Sequence, residues 1–163
     1  MEKLKRSLFA AFLDTAESGA ESPTWSRMGK GITSQTISYN PESNSEQYIH
    51  EDSATTTLDS YAPTMNGAMT AYSGEPIFDF VDGLRKKRAV GSAAETDVLL
   101  VYIYDKSSDG KYAAEKQHVS VQIDDFGGDA GGTLPINFTL NFMGDAVPGT
   151  ATIASGTPTF TEA

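Results

Sequence analysis

The spacing of apolar residues predicts one amphipathic helix near the middle of the chain, over about 75–88. Apolar residues recur there at intervals that place them in a single stripe along an α-helix: Ile77, Phe80, Val81 and Leu84. Such a stripe is stable only when another element covers it. The rest of the chain is therefore expected to supply a sheet on which this helix packs.

Both ends of the predicted helix carry residues that favour helix ends. Ser73 or Gly74 is a candidate N-cap, Pro76 suits the first turn, and Gly91 is a candidate stop. Acidic residues crowd the start of the helix, where they complement the helix dipole. The complementary basic run at the other end is Arg85, Lys86, Lys87 and Arg88.

Alternating and β-branched stretches predict strands on the N-terminal side of the helix. The candidates are residues 24–28, 32–39, 46–50 and 55–61. The apolar run at 8–13 is too short for periodicity to separate a helix from a strand, and we favour a strand because a turn-rich link follows it. Residues 65–72 are expected to lead into the helix.

The C-terminal side of the helix is predicted to hold the central strands. Residues 96–104 form the most apolar stretch and are expected to be covered on both faces. Two further candidates, 112–123 and 134–143, alternate apolar with polar residues. A turn over 144–148, a short strand at 150–153 and a polar tail over about 154–163 are expected to complete the chain.

The predicted order of strands, one helix and further strands indicates a mainly β fold. We expect an antiparallel β-sandwich or barrel with one flanking α-helix, in a single domain over 1–163 with an N-terminal arm over about 1–20. The order argues against repeated β-α units and a nucleotide-binding sheet. The stretch 40–64 is acidic and poor in large apolar residues, which indicates a long projecting hairpin or loop, and such loops usually carry binding.

The net charge of −10 changes the range of possible functions. Proteins that hold nucleic acid by its phosphates are basic, so this chain should repel DNA. The charge is also uneven, because no Lys or Arg occurs between Gly31 and Leu84. Ordinary solubility accounts for this pattern, and so does attraction between oppositely charged surfaces of separate copies.

Neither a disulfide framework nor a membrane span is predicted. The chain has no cysteine, and no apolar run approaches the roughly 20 residues that a bilayer requires. The apolar run at 8–13 is shorter than the core of a signal peptide, about 7–15 residues. We therefore expect it to belong to the mature fold, and the protein to be made in the cytosol.

The residues that usually carry chemistry do not form a recognisable site. Neither His50 nor His118 stands in a zinc-binding pattern. Asp124, Asp125 and Asp129 lie among glycines but lack the order of an EF-hand calcium loop. A phosphate-binding loop and a nucleophile elbow are also absent. The sequence thus predicts no catalytic residue, no metal ligand, no cofactor and no enzyme activity.

Three interpretations of the basic run at 85–88 remain open. Its composition fits a localisation signal or a nucleic-acid patch. It also completes the helix dipole and solubilises the end of a helix. The third interpretation is that it docks on the acidic surface of another copy.

Seven short strings follow one another along nearly the whole chain. They are residues 25–29 (WSRMG), 31–33 (GIT), 37–41 (ISYNP), 48–52 (YIHED), 60–63 (SYAP), 79–82 (DFVD) and 121–129 (VQIDDFGGD). No single string is a catalytic signature. In combination and in this order, they resemble the major tail (tail tube) proteins of long-tailed bacteriophages, especially phages that infect Gram-positive bacteria.

This resemblance implies a structural protein of the virion tail, made in the host cytoplasm. Proteins of the family form hexameric rings that stack into a hollow tube, helped by terminal arms. The lumen is negative, so that DNA passes through without specific binding. The implied partners are other copies of the chain, a tape-measure protein in the lumen, and tail terminator and baseplate or tip proteins, with no membrane.

The resemblance also implies contact surfaces on this chain. A long extension that reaches the adjacent ring would lie at about 40–63, and the basic helix end at 85–88 is expected to meet the acidic 31–84 region of a neighbour. The candidate contact residues of the extension are Glu42, Glu46, Tyr48, His50, Glu51, Asp52 and Asp59. The alternative function is a soluble β-sandwich module that binds, for instance, carbohydrate on an aromatic platform of Tyr39, Tyr48, Tyr61 and Tyr72.

Overall fold

A computed structural model describes all residues, 1–163, and shows ten strands and one α-helix. The elements are β1 (Phe9–Asp14), β2 (Trp25–Arg27), β3 (Ile37–Ser38), β4 (Pro41–Glu46), β5 (Thr55–Tyr61), β6 (Thr64–Thr70), α1 (Pro76–Lys87), β7 (Glu95–Lys106), β8 (Tyr112–Phe126), β9 (Pro135–Ala154) and β10 (Thr157–Glu162). Short 3₁₀ turns precede β1 and β7, at Arg6–Leu8 and Gly91–Ala94. No helix is long and apolar enough to cross a membrane.

The strands form one large antiparallel sheet that curls around a core. Its order is β2-β1-β7-β8-β9-β6-β3, and β10 pairs with the second half of β9. Leu13 on β1 and Met65 on β6 lie far apart in this order but belong to the same buried cluster. β4 and β5 pair only with each other. The expected antiparallel β-sandwich with a flanking helix and a projecting hairpin is confirmed.

The helix α1 covers one open side of the main core, as the apolar stripe predicts. Ile77 and Val81 are fully buried, and Phe80 and Leu84 pack at the edge of the same cluster. The N-cap is Glu75, one residue beyond the predicted Ser73 or Gly74. The predicted stop at Gly91 is wrong in detail. Arg88 takes a left-handed conformation (φ 47°) and its N–H bonds back into the last turn, so the helix ends at Lys87.

A second, smaller core lies on the opposite face of β1 and β7. Phe12, Leu99 and Val101 are fully buried there, beneath Trp25 on β2 and Phe160 on β10. This confirms that β7 is covered on both faces. Of the predicted N-terminal arm, only residues 1–8 precede the core, because β1 is itself buried.

The C-terminal third differs from the sequence expectation at the predicted turn, 144–148. β9 runs without interruption from Pro135 to Ala154, and the residues after Met143 form a bulge opposite β8. The buried amide of Gln117 donates to the carbonyl oxygens of Met143 (2.9 Å) and Gly144 (3.3 Å), so the bulged backbone keeps its hydrogen bonds. The segment expected to be a polar tail forms β10 against β9.

The segments before the helix also differ in places. The stretch 46–50, expected to be a strand, contains a turn, and the preceding polar loop is instead β4, held by its ladder with β5. Only Ile37–Ser38 of the predicted strand 32–39 pairs in a ladder. The segment expected to lead into the helix is β6, whose Met65 and Met69 alternate into the core.

Candidate functional site

The hairpin of β4 and β5 projects from the body without a covering layer. Every residue of both strands is exposed, and the hairpin joins the rest of the fold only at its base. An isolated two-stranded hairpin is at best marginally stable in water. A ribbon built in this way therefore gains most from contact with another surface.

The hairpin tip is ordered by its own carboxylates. The backbone N–H of Tyr48 donates to Glu51 Oε2 (3.2 Å), and the Gln47 amide donates to the Glu51 carbonyl (3.0 Å). The Tyr48 hydroxyl donates to Glu46 Oε2 (3.0 Å). Ile49, at the apex, is fully exposed. The tip thus presents an apolar side chain on a locally fixed loop.

The structure places all seven predicted extension residues on this hairpin, and none of them forms a pocket. They are Glu42, Glu46, Tyr48, His50, Glu51, Asp52 and Asp59, on the strands and in the connecting loop. The His50 ring stacks on Tyr48, and its Nε2 lies 3.8 Å from Glu51 Oε1. With five carboxylates and no Lys or Arg, the hairpin has a negative field along its whole length.

A cleft opens at the base of the hairpin, and we call it the mouth. It has a volume of about 800 Å³, and its walls include Tyr39, Tyr61, Leu100, Phe142, Glu115 and Asp145. The Tyr39 and Tyr61 rings meet edge to face at 6.2 Å, and both are more than half exposed. No basic residue lines the mouth. It therefore combines apolar walls with two carboxylates.

The Tyr102 hydroxyl lies close to Glu115 at this end of the core. Burial raises the pKa of Tyr102, and the neighbouring carboxylate raises it further. The phenol therefore stays protonated and available as a donor.

Two of the four cations at the predicted basic helix end, Arg85 and Lys86, are bound to a carboxylate, and the other two, Lys87 and Arg88, are free. Arg85 donates to Asp82 Oδ1 through Nε (2.9 Å) and Nη2 (2.7 Å), and Lys86 Nζ lies 3.1 Å from Asp82 Oδ2. Burial acts to raise the pKa of Asp82, but the hydrogen bonds from Arg85 and Lys86 outweigh it, and the pKa falls below its usual value. Lys87 and Arg88 are exposed and have no carboxylate partner.

The mouth lies beside the first part of β8, at Glu115 and Gln117, and the Arg88–Val90 segment lies beside its middle, at Ser120–Ile123. Glu115 stands near the start of the strand, and Phe126 is its last residue. The Arg85 guanidinium covers the Phe126 ring, with its carbon 3.8 Å from the ring centre. Arg85 thus holds the helix against the end of β8, while the two cations that follow it lie closer to the middle of the strand. Within one copy, no ion pair joins Lys87 or Arg88 to a carboxylate of the mouth.

The other residues considered for chemistry lie apart. His118 is held on the sheet surface between Asp97 (2.7 Å) and Glu95 (3.1 Å), and these hydrogen bonds raise its pKa. Asp124 accepts hydrogen bonds from Gln122 and Thr139 on the polar face of β8 and β9. No group of three or more acidic or histidine side chains is placed to hold a metal ion.

No protein-family profile matches the sequence, and no curated protein matches it either. Among solved structures, a chain from the tail of an empty GTA particle, determined by helical refinement with C6 symmetry, has a similar architecture. The TM-score is 0.62, the sequences are 12% identical, and the match covers 88% of this chain and 97% of that chain. The likeness is one of fold. At this identity a shared fold does not by itself carry a shared function.

The four tyrosines considered as an aromatic platform do not share one surface. Tyr39 and Tyr61 meet at the mouth, whereas Tyr48 stacks on His50 at the hairpin tip. Tyr72 lies beyond the other end of β6, where Lys30 covers its ring at 4.6 Å. Only Tyr39 and Tyr61 of the four are adjacent, so the predicted platform of four tyrosines is not formed.

Sequence reasoning did not foresee the mouth. Its walls come from five separate parts of the chain, between Tyr39 and Ala146, which only the sheet topology brings together. The pairing of Lys86 and Arg85 with Asp82 was accessible from the sequence, because residues three and four apart on a helix are neighbours. Arg85 and Lys86 lie three and four residues after Asp82 and pair with it, whereas Lys87 and Arg88 lie five and six residues after it and do not.

Proposed function

We propose that this protein is the subunit of a phage-type tail tube, which assembles into hexameric rings that stack into a hollow conduit for genome delivery. The observation that carries the proposal is the hairpin Pro41–Tyr61, whose two strands are exposed along their whole length, on a complete β-sandwich. The similar fold of a chain from a tail with C6 symmetry supports it, as do the sequence strings that resemble tail tube proteins.

The hairpin is the proposed contact between rings. It lacks a covering layer on its own copy, yet its tip is hydrogen-bonded through Glu51 and exposes Ile49. A neighbouring ring would supply the missing layer. The carboxylates at Glu42, Glu46, Asp52 and Asp59 would then select cationic surfaces on that neighbour.

The charge of the chain fits a conduit for DNA. Six copies at −10 would give a ring a charge of −60. At physiological salt the screening length is about 8 Å, so DNA would respond only to carboxylates near the inner wall. A tape-measure protein in the lumen, tail terminator and tip proteins at the ends, and a place in the virion belong to the same proposal. A Gram-positive host rests on the sequence strings alone and is no part of it.

Electron microscopy of concentrated full-length protein, together with sedimentation velocity, tests the proposal. The expected result is rings of six copies and stacks of rings. A protein that stays monomeric at every concentration, and that is absent from the tails of particles, would overturn it.

A hairpin variant tests the contact between rings separately. Residues 43–59 are replaced by Asn-Gly, which closes a two-residue turn between the paired residues Glu42 and Ser60. Because the removed residues contribute nothing to either core, the variant should keep its circular dichroism and thermal midpoint while losing stacks. Stacks of normal length from this variant would exclude the hairpin as the contact.

A further inference from the structure

We infer that the mouth of one copy receives the Lys87–Val90 segment of a copy in the adjacent ring. This inference rests on the proposed function and names the two surfaces that would meet. The mouth offers apolar and aromatic walls with two carboxylates, Glu115 and Asp145. The segment offers two unpaired cations followed by an exposed aliphatic side chain.

The Lys87–Val90 segment is exposed and its two cations are unpaired on its own copy. Val90 is 81% exposed, and Lys87 and Arg88 have no ion-pair partner. The backbone is nevertheless fixed, since the N–H of Arg88 bonds to the Arg85 carbonyl and the N–H of Ala89 to that of Leu84. A rigid segment loses little conformational freedom on docking.

Arg88 stands where a glycine would be more stable. Its φ of 47° is left-handed, a conformation that glycine adopts without strain and that helices commonly use at this position. An arginine here costs stability and provides a charge with no partner in the same copy. Strained residues of this kind cluster at functional sites.

The mouth complements the segment in charge and in apolar surface. Its two carboxylates face no basic side chain, while Phe142 and the paired rings of Tyr39 and Tyr61 leave apolar surface open. Arginine is the cation best suited to such a site, because its guanidinium can bind a carboxylate and stack on an aromatic ring together.

The proposed contact joins two different patches of the chain. The segment lies beside Ser120–Ile123 of β8 and the mouth beside Glu115 and Gln117, so each copy would donate its segment to one neighbour and receive the segment of another. A contact of this heterologous kind repeats without closing when the copies are related along an axis. The hairpin leaves the body at the rim of the mouth, through Ser60 and Tyr61, so it would reach towards the same neighbour.

The decisive variant is Arg88→Gly, measured by sedimentation velocity and by thermal unfolding of the unassembled form. It removes the charge and relieves the left-handed strain together. We expect the thermal midpoint to rise or stay level, while the concentration needed for stacking rises about tenfold or more. A merely structural role for Arg88 would move both properties in the same direction or leave stacking unchanged, and either result would overturn the inference.

A charge exchange identifies the receiving surface. Arg88→Glu and the exposed Asp145→Lys should each prevent stacking, and the double variant should restore it. The matched control is Glu21→Lys, the same type of charge change in the exposed loop before β2, which should stack normally. If the double variant fails to recover, or if Asp145→Lys alone stacks normally, the mouth is not the receiving surface.

The two proposals fail in different ways. If the wild-type protein forms no rings or stacks, the proposed function and this inference fall together. If the wild type stacks and the Arg88 and Asp145 variants stack equally well, the tube stands and only this contact is excluded.

Discussion

Arg85 covers the ring of Phe126, with the guanidinium carbon 3.8 Å from the ring centre. The same guanidinium donates twice to Asp82 on its own helix. One side chain therefore fastens the end of α1 to the end of β8. Because Lys87 and Arg88 come only two and three residues later, this contact also helps to set the position of these unpaired cations.

Replacing Arg85 should destabilise the folded chain. Arg85→Ala loses the cation–π contact, about 0.5–1 kcal/mol at a site this exposed, and a hydrogen-bonded ion pair of similar value. We expect the free energy of unfolding in urea to fall by about 1–2 kcal/mol. Arg85→Lys keeps the charge without the planar fork and should lose about half as much.

Lys87→Ala is the matched control for this series, because Lys87 is exposed and has no partner. Its effect on unfolding should stay within about 0.5 kcal/mol. Equal losses from Arg85→Ala and Lys87→Ala would show that the Phe126 contact contributes nothing to stability.

Two glycines should respond to alanine in opposite directions. A Cβ on Gly67 would clash with the buried ring of Phe138, its partner on β9, so Gly67→Ala should destabilise by about 1–3 kcal/mol. Gly83 lies inside α1 with open space around it, and Gly83→Ala should stabilise by about 0.5–1 kcal/mol. Chemical denaturation measures both, and effects of the same sign would contradict this packing.

Gln117 should be needed for the bulge in β9. Gln117→Leu fills a similar volume but leaves the carbonyls of Met143 and Gly144 without the amide that donates to them. The expected loss is about 1–3 kcal/mol in urea unfolding. The exposed Gln122 is the control, and Gln122→Leu should change the stability by less than about 0.5 kcal/mol. Similar losses from the two variants would remove the argument for the buried amide.

His118 should make stability depend on pH. Hydrogen bonds from its ring to Asp97 and then to Glu95 raise its pKa above the usual 6.5. A group with a raised folded-state pKa stabilises fully below the unfolded value, and this contribution disappears as the pH rises through the folded value. The stability difference between wild type and His118→Gln should therefore be larger at pH 5.5 than at pH 9.

This effect should be smaller than about 1 kcal/mol, since nearly half of the His118 side chain is in solvent. Urea unfolding of both proteins at several pH values measures it. A difference that is constant across the range, or that grows with pH, would contradict the ion-pair geometry.

The sequence predicted the elements whose patterns are local. The stripe from Ile77 to Leu84 located α1 to within a residue at each end, and the apolar run at 96–104 correctly indicated a strand buried on both faces. β4 was missed because PESNSE has little tendency to form a strand, and only its ladder with β5 makes it one. The bulge at 144–146 was read as a turn because Gln117, which satisfies its carbonyls, lies far away in sequence.

The candidate surfaces were likewise predictable only where a local stretch of sequence defines them. The hairpin was predictable from the lack of apolar residues over 40–64, and the basic run from its composition. The split between bound and free cations depends on the position of Asp82, and the mouth depends on the order of strands in the sheet. Composition alone does not reveal the pairing of the cations, and no short stretch of sequence reveals the mouth.

The two buried clusters share strands, and this has a consequence for how the chain melts. β1 and β7 send alternate side chains into each cluster, and β9 supplies Ile136 and Leu140 to one and Ala151 to the other. Because the two clusters share these strands, loss of packing in one cluster disturbs the strands that form the other. We therefore expect the sandwich to unfold as a single cooperative unit, so that a cavity at Phe12 in the smaller cluster would also weaken the packing of α1 on the main core.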